Sequence, residues 1–444
     1  MKRKIINDLV KWKNSTNRKP LIIKGARQVG KTWILEEFGK THFQQYHYCN
    51  FENSSQLRTI FEKDLNPQRI INELTFYLNA PIKIDTDLII FDEIQQCPKA
   101  ITSLKYFNEE MNNQAICAAG SLLGVFHGES SFPVGKVSFI EMYPLDFGEF
   151  LEAIQEPNLL SLYNSIDITC PVQLPESAHI RLWELWKTYM LTGGMPAVVK
   201  AYVQFGKLDI ETTTTIRTLQ KELVSSYTAD IAKNAGRMKS LNIERLWKNV
   251  PQQLAHTNSE NAVKFKFKDA LPGLRGYEKL AGPLDWLEKA GLVQRSSIIE
   301  KPEIPLSAYK SETRFKLYMF DTGLLSAMSE IAPADLLKMD FGTFKGYLAE
   351  NFVAQQLKAS GIAEFYCWEG RQSEVEFLIY GQSGIIPVEV KSGFNTRSKS
   401  LKVYREKFNP LQSIILSGKN VQNSDLTEPV HLPLYLAGKL SALV

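Results

Sequence analysis

The chain has 444 residues, of which 44% are hydrophobic, 11% aromatic and 23% charged. This length predicts about three domains at roughly 150 residues each, and the apolar fraction excludes a disordered chain. Lysine and arginine number 52 against 48 acidic residues, and the resulting net charge of +4 argues against a polycation that coats nucleic acid unselectively.

The first third of the chain alternates short apolar runs with segments of helical length. Five runs are predicted to be strands: Pro20–Lys24, Tyr46–Phe51, Leu88–Phe91, Ala115–Ala119 and Val137–Met142. Short apolar runs separated by helices are typical of a parallel sheet that is buried on both faces. We therefore predict an α/β fold for this part.

From about residue 150 the pattern becomes helical. The predicted helices are Glu149–Gln155, Ile180–Met190, Glu211–Asn234, Leu241–Ala255 and Tyr277–Ala290. Trp183, Trp186 and Tyr189 are at helical spacing and are predicted to be core residues. Two β-prone runs follow, Val293–Ile299 and Phe315–Phe320, and helices before such a ribbon suggest a winged-helix-like unit.

Another change occurs near residue 345. A predicted helix, Gly346–Ala359, leads into three β-rich runs, Phe365–Trp368, Val375–Ile379 and Ile385–Val390. The sequence thus predicts three domains with soft boundaries, 1–165, 166–345 and 346–444.

A glycine-rich loop follows the first predicted strand. Its eight residues match the Walker A spacing and are expected to bind nucleotide: Gly25, Ala26, Arg27, Gln28, Val29, Gly30, Lys31 and Thr32. Backbone N–H groups of such a loop and the following helix N-terminus surround phosphate, the lysine neutralises it, and the threonine hydroxyl ligates Mg²⁺. Arg27 could face either ligand or solvent. The loop predicts that ATP and Mg²⁺ are bound.

Adjacent acids end the third predicted strand. Asp92 is expected to hold magnesium and Glu93 to act as the general base for water, at the sheet edge where ligands bind in open α/β sheets. The next strand ends in Ala119-Gly120-Ser121, and an added strand beside the catalytic Glu is typical of the additional-strand P-loop ATPases. Ser121 could then sense the γ-phosphate as a catalytic residue with Glu93 and Lys31, or be a plain loop serine.

Several segments resemble a prokaryotic AAA+-like ATPase family that carries a C-terminal domain of unknown function, DUF4143. They are Gly25–Thr32, Phe91–Gln96, Ala119–Leu123, Tyr143–Phe150, Leu191–Pro196, Asp285–Leu292 and Lys316–Leu324. The resemblance covers nearly the whole chain and implies an ATPase. Where an arginine is expected before the strand that leads to Tyr143, the chain has Lys136. If that arginine contacts the γ-phosphate in relatives, Lys136 could keep the charge but not the bidentate geometry.

The last hundred residues contain a second acidic motif. Glu376, followed by Glu389 and Lys391 on the next predicted strand, resembles the PD-(D/E)xK nuclease core, in which acids bind magnesium and the lysine activates water. Glu350 on the preceding helix could add a carboxylate. Position 376 is Glu where Asp is usual, and Glu-x-Lys is also an ordinary cross-strand pair.

Basic residues follow the second motif. Arg397, Lys399, Lys402, Arg405 and Lys407 could contact phosphates of DNA, or form a solvated helix face. Lys264, Lys266 and Lys268 alternate with phenylalanine as in an edge strand.

Two functional hypotheses follow. The first is an ATP-hydrolysing P-loop protein whose nuclease-like domain binds or cuts DNA; the second is a nucleotide-gated DNA- or protein-binding module with little turnover and a degenerate nuclease domain. No apolar run approaches the roughly 20 residues of a membrane helix. We therefore expect a cytoplasmic protein with no membrane partner.

Overall fold

The computed structural model describes residues 1–120, 132–235, 237–255, 265, 270, 276–339, 342–422 and 428–444. The chain divides into two compact units, Lys2–Tyr143 and Pro144–Val444, called here the N-terminal and C-terminal units. The first unit ends at Tyr143 rather than at the predicted residue 165.

A five-stranded parallel sheet forms the centre of the N-terminal unit. Its strands are β1 Leu21–Lys24, β2 Tyr46–Asn50, β3 Leu88–Asp92, β4 Ala115–Ala119 and β5 Ser138–Glu141. Their order is β2-β3-β4-β1-β5, and every neighbouring pair is parallel. The additional strand β4 therefore lies between β1 and β3, as the sequence predicts.

Five helices accompany this sheet among the described residues of the N-terminal unit. They are α1 Ile5–Lys13, α2 Lys31–His42, α3 Ser55–Ile60, α4 Pro67–Leu78 and α5 Pro98–Glu110. Phe51, Phe61 and Phe91 pack edge to face with centroid distances of 5.4 to 5.7 Å, the geometry that aromatic rings prefer. Strands β3 and β4 are buried along their whole length, which explains their continuous apolar runs.

The C-terminal unit begins with a helical region, and further helices lie between the strands that follow. Its helices are α6 Phe147–Ala153, α7 Pro157–Ser165, α8 Glu176–Thr192, α9 Pro196–Phe205, α10 Ile210–Asn234, α11 Arg237–Ala255, α12 Glu278–Lys289, α13 Thr322–Met328, α14 Pro333–Lys338, α15 Phe344–Ala359 and α16 Lys399–Phe408. Trp183 stacks on Trp186 at 4.4 Å, and Trp186 and Tyr189 contact Phe352 of α15 edge to face. The predicted core role of the α8 aromatic residues is confirmed.

A seven-stranded mixed sheet completes the unit. Its strands are β6 Val293–Ile299, β7 Lys310–Met319, β8 Tyr366–Glu369, β9 Glu374–Gly381, β10 Gly384–Val390, β11 Ile414–Ser417 and β12 Val430–Pro433. They are ordered β12-β11-β10-β9-β8-β6-β7. The predicted ribbon of β6 and β7 exists, but β6 also pairs in parallel with β8. The ribbon therefore extends the C-terminal sheet, and the predicted boundary at residue 345 falls within one unit.

A buried hydrogen-bond network joins two distant segments of the C-terminal unit. The Asp321 carboxylate accepts hydrogen bonds from the backbone N–H groups of Gly194 at 2.7 Å and Leu324 at 2.9 Å. Gln355 Nε2 donates to Tyr189 Oη at 2.9 Å, and Gly194 O accepts from Leu145 N at 2.8 Å. Two of the segments that carry the family resemblance, 191–196 and 316–324, thus bond directly to each other.

Within the described ranges, no helix is long and apolar enough to cross a membrane.

Candidate functional site

The Walker A loop lies between β1 and α2, at the carboxyl edge of the N-terminal sheet. Gly25 has φ +144°, and a Cβ atom there would lie 2.2 Å from the carbonyl oxygen of Met142 on the neighbouring segment. Gly30, with φ +99°, forms the N-terminal end of α2 in the left-handed region. Glycine is the residue that adopts this loop geometry without steric cost.

Lys31 lies at the first position of α2 and is only 8% exposed. Its Nζ donates to the carbonyl oxygens of Gly25 at 2.9 Å and Ala26 at 2.7 Å. The ammonium group is therefore held over the loop, beside the N-terminus of a 12-residue helix. Both features favour an anion at this point.

Thr32 and Asp92 meet although 60 residues separate them. The Thr32 hydroxyl donates to Asp92 Oδ2 at 2.8 Å, and Asp92 is 4% exposed at the end of β3. A hydroxyl and a carboxylate are hard oxygen ligands of the kind Mg²⁺ prefers, and Mg²⁺ is usually bound by one or two carboxylates together with substrate phosphates. The donor set, the Lys31 ammonium and the helix N-terminus beside it fit a nucleotide with its magnesium.

Tyr48 and Asn50 of β2 belong to this site, and the sequence pattern did not identify them. Tyr48 Oη donates to Asp92 Oδ2 at 2.7 Å, and Asn50 Nδ2 donates to Tyr48 Oη at 3.1 Å. Burial, and next the hydrogen bond to Asp92, raise the pKa of Tyr48, so its hydroxyl stays a donor. Parallel pairing of β2 with β3 places Asn50 opposite Asp92, a register that only the structure shows.

Glu93 follows Asp92 with its backbone in the left-handed region, at φ +48°. This conformation is uncommon for a residue with a side chain, and such residues are often found at functional sites. Gln95 Nε2 donates to Glu93 Oε2, and the backbone N–H of Glu93 donates to Asp92 Oδ1 at 3.0 Å. The carboxylate predicted to be the general base is thus oriented by a neighbouring amide.

Arg3, also missed by the sequence analysis, braces the Walker A loop. This buried guanidinium donates to Val29 O at 2.8 Å and to Tyr143 O at 2.6 Å. It links the loop to the segment after β5. The motif did not indicate this contact because Arg3 lies outside it in the sequence.

The second predicted site lies on β9, β10 and α15 of the C-terminal unit. Glu376 Oε2 accepts a hydrogen bond from Val390 N at 3.1 Å, and Lys391 Nζ lies 2.5 Å from Glu389 Oε1. Burial raises the pKa of Glu376 well above its usual value, and the charges of Glu389 and Glu350 raise it further. The four predicted side chains therefore lie in one electrostatic neighbourhood.

The fit of this second site to a metal ion is poor. Across the described ranges, no group of three or more His, Cys, Asp or Glu side chains could hold a metal ion. Glu350 instead faces Lys316 of β7, whose Nζ lies 3.1 Å from Glu350 Oε2. The metal ligands predicted at 350, 376 and 389 remain a prediction without a matching ligand geometry.

Three family models match consecutive parts of the chain. An AAA domain model matches residues 17–151, a domain of unknown function, DUF8612, matches 183–335, and DUF4143 matches 345–435. The chain joins an AAA domain to a DUF4143 domain. No curated protein matches it.

Solved structures similar to this chain include the following three. A Walker-type ATPase of Pyrococcus abyssi is 15% identical, with 74% of this chain and 95% of that chain covered and a TM-score of 0.44. The ORC1 protein of Aeropyrum pernix, solved with DNA, is 13% identical over 74% of this chain and 91% of that chain, with a TM-score of 0.27. The RuvB branch migration motor of Thermotoga maritima is 11% identical over 67% and 90%, with a TM-score of 0.31.

Two further predicted residues of the AAA domain have different outcomes. Ser121 lies outside the described residues. Lys136 precedes β5 and therefore lies at the amino-terminal edge of the sheet, opposite the Walker A loop, with Nζ 2.9 Å from Glu109 Oε1. The conditional prediction that Lys136 brings a charge to the γ-phosphate is wrong, because strand direction separates the two. Arg27 is half-buried, and its role stays open.

The basic segment after the DUF4143 acid motif forms α16. Leu401 and Tyr404 bury one face of this helix, and Tyr404 packs edge to face on Trp368 at 5.1 Å. Arg397, Lys399, Lys402 and Lys407 are exposed. Of the alternating lysines at 264, 266 and 268, none lies within the described residues.

Proposed function

We propose that this protein binds and hydrolyses ATP with Mg²⁺. The observation that carries the proposal is the 2.8 Å hydrogen bond between Thr32 and Asp92, directly beside the glycine-rich loop and the N-terminus of α2. A helix-capping glycine turn alone would not require a buried carboxylate from another strand at this point.

Each residue has a role that its position supports. Loop N–H groups from Gly25 to Thr32 and the α2 N-terminus would bind the phosphates, and Lys31 would neutralise the β- and γ-phosphates. Thr32 and Asp92 would hold magnesium, which stabilises charge that develops on the phosphate oxygens. Glu93 would accept a proton from the attacking water as the bond to the γ-phosphorus breaks, releasing ADP and phosphate.

Binding of a fluorescent ATP analogue tests the first half of the proposal. We expect Lys31→Ala to abolish binding, because it removes the ammonium group held over the loop. Lys40→Ala on the exposed end of the same helix α2 is the matched control and should bind like wild type. Equal affinity of wild type and Lys31→Ala would contradict nucleotide binding at this loop.

A second proposal concerns the C-terminal unit. We propose that it is nuclease-like in origin and does not cut DNA, because Glu350 is engaged by Lys316. Exposed cations on and before α16 support DNA as its partner. Nucleotide hydrolysis in the AAA domain would then be coupled to this DNA contact.

Two experiments test this proposal separately. Incubation with plasmid and Mg²⁺ should give no cutting by wild type or Lys391→Ala, and cutting by wild type alone would contradict it. DNA affinity should fall steeply with salt, since phosphate contacts release counterions. A flat salt dependence, or no change in Lys399→Ala/Lys402→Ala, would contradict the DNA contact.

A further inference from the structure

The C-terminal sheet and the helix over it carry a cluster of buried and half-buried charged side chains. Glu374 and Glu376 come from β9, Glu389 from β10 and Lys391 from the end of β10, while Glu350 of α15 lies over them. Glu350 and Glu389 are 8% and 2% exposed. Four carboxyl groups that are shielded from water require nearby cations, or bound protons, to balance their negative charge.

Lys316 of β7 supplies a cation from outside the DUF4143 segment. Its side chain is 1% exposed, its Nζ lies 3.1 Å from Glu350 Oε2, and it forms an ion pair with Glu374. Tyr318, two residues along the same strand, donates to Glu350 Oε2 at 3.2 Å. Both donors approach the helix carboxylate from the ribbon side of the sheet.

The other half of the cluster is only partly satisfied. Lys391 Nζ contacts Glu389 Oε1 at 2.5 Å, and Glu376 Oε2 accepts from Val390 N at 3.1 Å. Glu389 Oε2, which is buried, has no hydrogen-bond partner among the described residues. The cluster therefore has enough carboxylates to bind a cation. Two of them, those of Glu350 and Glu374, already pair with the Lys316 ammonium group.

We infer that Lys316 is a resident cation that occupies the place where a metal-dependent nuclease would bind its divalent ion. An ammonium so close to Glu350 and Glu374 repels a divalent cation from this cluster and engages Glu350, the helix carboxylate that would complete the ligands with Glu376 and Glu389. β7 supplies Lys316 because β6 and β7 extend the sheet beside β8. The inference rests on the proposed nuclease-like origin of this unit and is independent of ATP hydrolysis.

Removal of Lys316 should therefore create a metal site. We would titrate the full chain with Mn²⁺ in the absence of nucleotide, following free Mn²⁺ by electron paramagnetic resonance, in an Asp92→Asn background that removes the AAA site. With Lys316 present, no Mn²⁺ binding should be detected up to 1 mM. Lys316→Met should bind one ion with a dissociation constant at least tenfold below that concentration. Lys310→Met, at an exposed position of the same strand, is the matched control and should bind none.

The location of the new ion is tested by a second substitution. Lys316→Met combined with Glu350→Gln should lose the site, because the carboxylate freed from the ammonium is then neutral. A folded Lys316→Met protein, judged by circular dichroism, that binds no Mn²⁺ would overturn the inference.

The protein with Lys316 present gives a decisive result even if Lys316→Met does not fold. Mn²⁺ binding to it that Glu389→Gln abolishes would overturn the inference, and absence of binding supports it. Phosphate release by the otherwise wild-type chain is measured separately, so failure of the ATPase proposal and failure of this one are distinguishable.

Discussion

Substitution of Gly194 by alanine tests the junction between the two family segments of the C-terminal unit. A Cβ atom at Gly194 would lie 2.2 Å from Leu145 O and 2.8 Å from Leu145 N. Ordinary van der Waals contacts begin at 3.4 Å, so Leu145 must move. That movement breaks the bond from Leu145 N to Gly194 O and the bond from Tyr189 Oη to Leu145 O.

The cost follows from these contacts. Overpacking a buried site costs about 1–3 kcal/mol, and two hydrogen bonds add about 1 kcal/mol each. We therefore expect Gly194→Ala to lower the free energy of unfolding by about 3–5 kcal/mol. The hydrogen bond that Gly194 N donates to the Asp321 carboxylate would be weakened as well.

Chemical denaturation of the full chain, followed by circular dichroism, measures this loss. The matched control is Gly282→Ala in α12, where a Cβ atom would meet nothing within 4 Å. Alanine in a helix interior should stabilise the control by roughly 0.5–1 kcal/mol. Equal effects of the two substitutions would refute the reasoning, since both replace glycine by the same residue.

Two further predictions concern single side chains. Burial raises the pKa of Asp321 from 3.8 to about 6, so the native state holds its proton more tightly than the unfolded chain, and this stabilisation is lost as pH rises. Between pH 4 and pH 7, wild type should lose about 2.4 kcal/mol of unfolding free energy relative to Asp321→Asn; parallel pH profiles would contradict this. Tyr48→Phe removes a hydrogen bond, worth about 1.5 kcal/mol, that orients the Asp92 carboxylate, so the Mg²⁺ concentration for half-maximal phosphate release should rise, by at most roughly tenfold. Magnesium-free ATP binding should not change, and an unchanged Mg²⁺ requirement would remove Tyr48 from the site.

The N-terminal unit could be predicted largely from its sequence because its signals are local. Each predicted strand overlaps an observed strand, and the Walker A loop lies where the motif places it, since the glycines at 25 and 30 determine the turn. Lys136 shows the limit. A one-dimensional motif does not say at which end of a strand a residue lies, whereas parallel pairing with β1 does.

Contacts between distant segments could not be predicted in the same way. Arg3 reaches Val29 and Tyr143 only because the chain folds back on itself, and nothing in its neighbourhood distinguishes it from Lys2 or Lys4. Lys316 is read from sequence as a polar residue in a β-prone run. Its burial follows from β6 pairing with β8, which pattern arguments did not anticipate.

The central claim is that this chain hydrolyses ATP at the site formed by the Walker A loop, Asp92 and Glu93. Steady-state phosphate release by wild type and Glu93→Gln, with DNA present and absent, tests it most directly. A general base contributes about 10²–10⁴-fold, so we predict at least a hundredfold slower release by Glu93→Gln with ATP binding retained. Release by wild type that is no faster than by Glu93→Gln would contradict the claim.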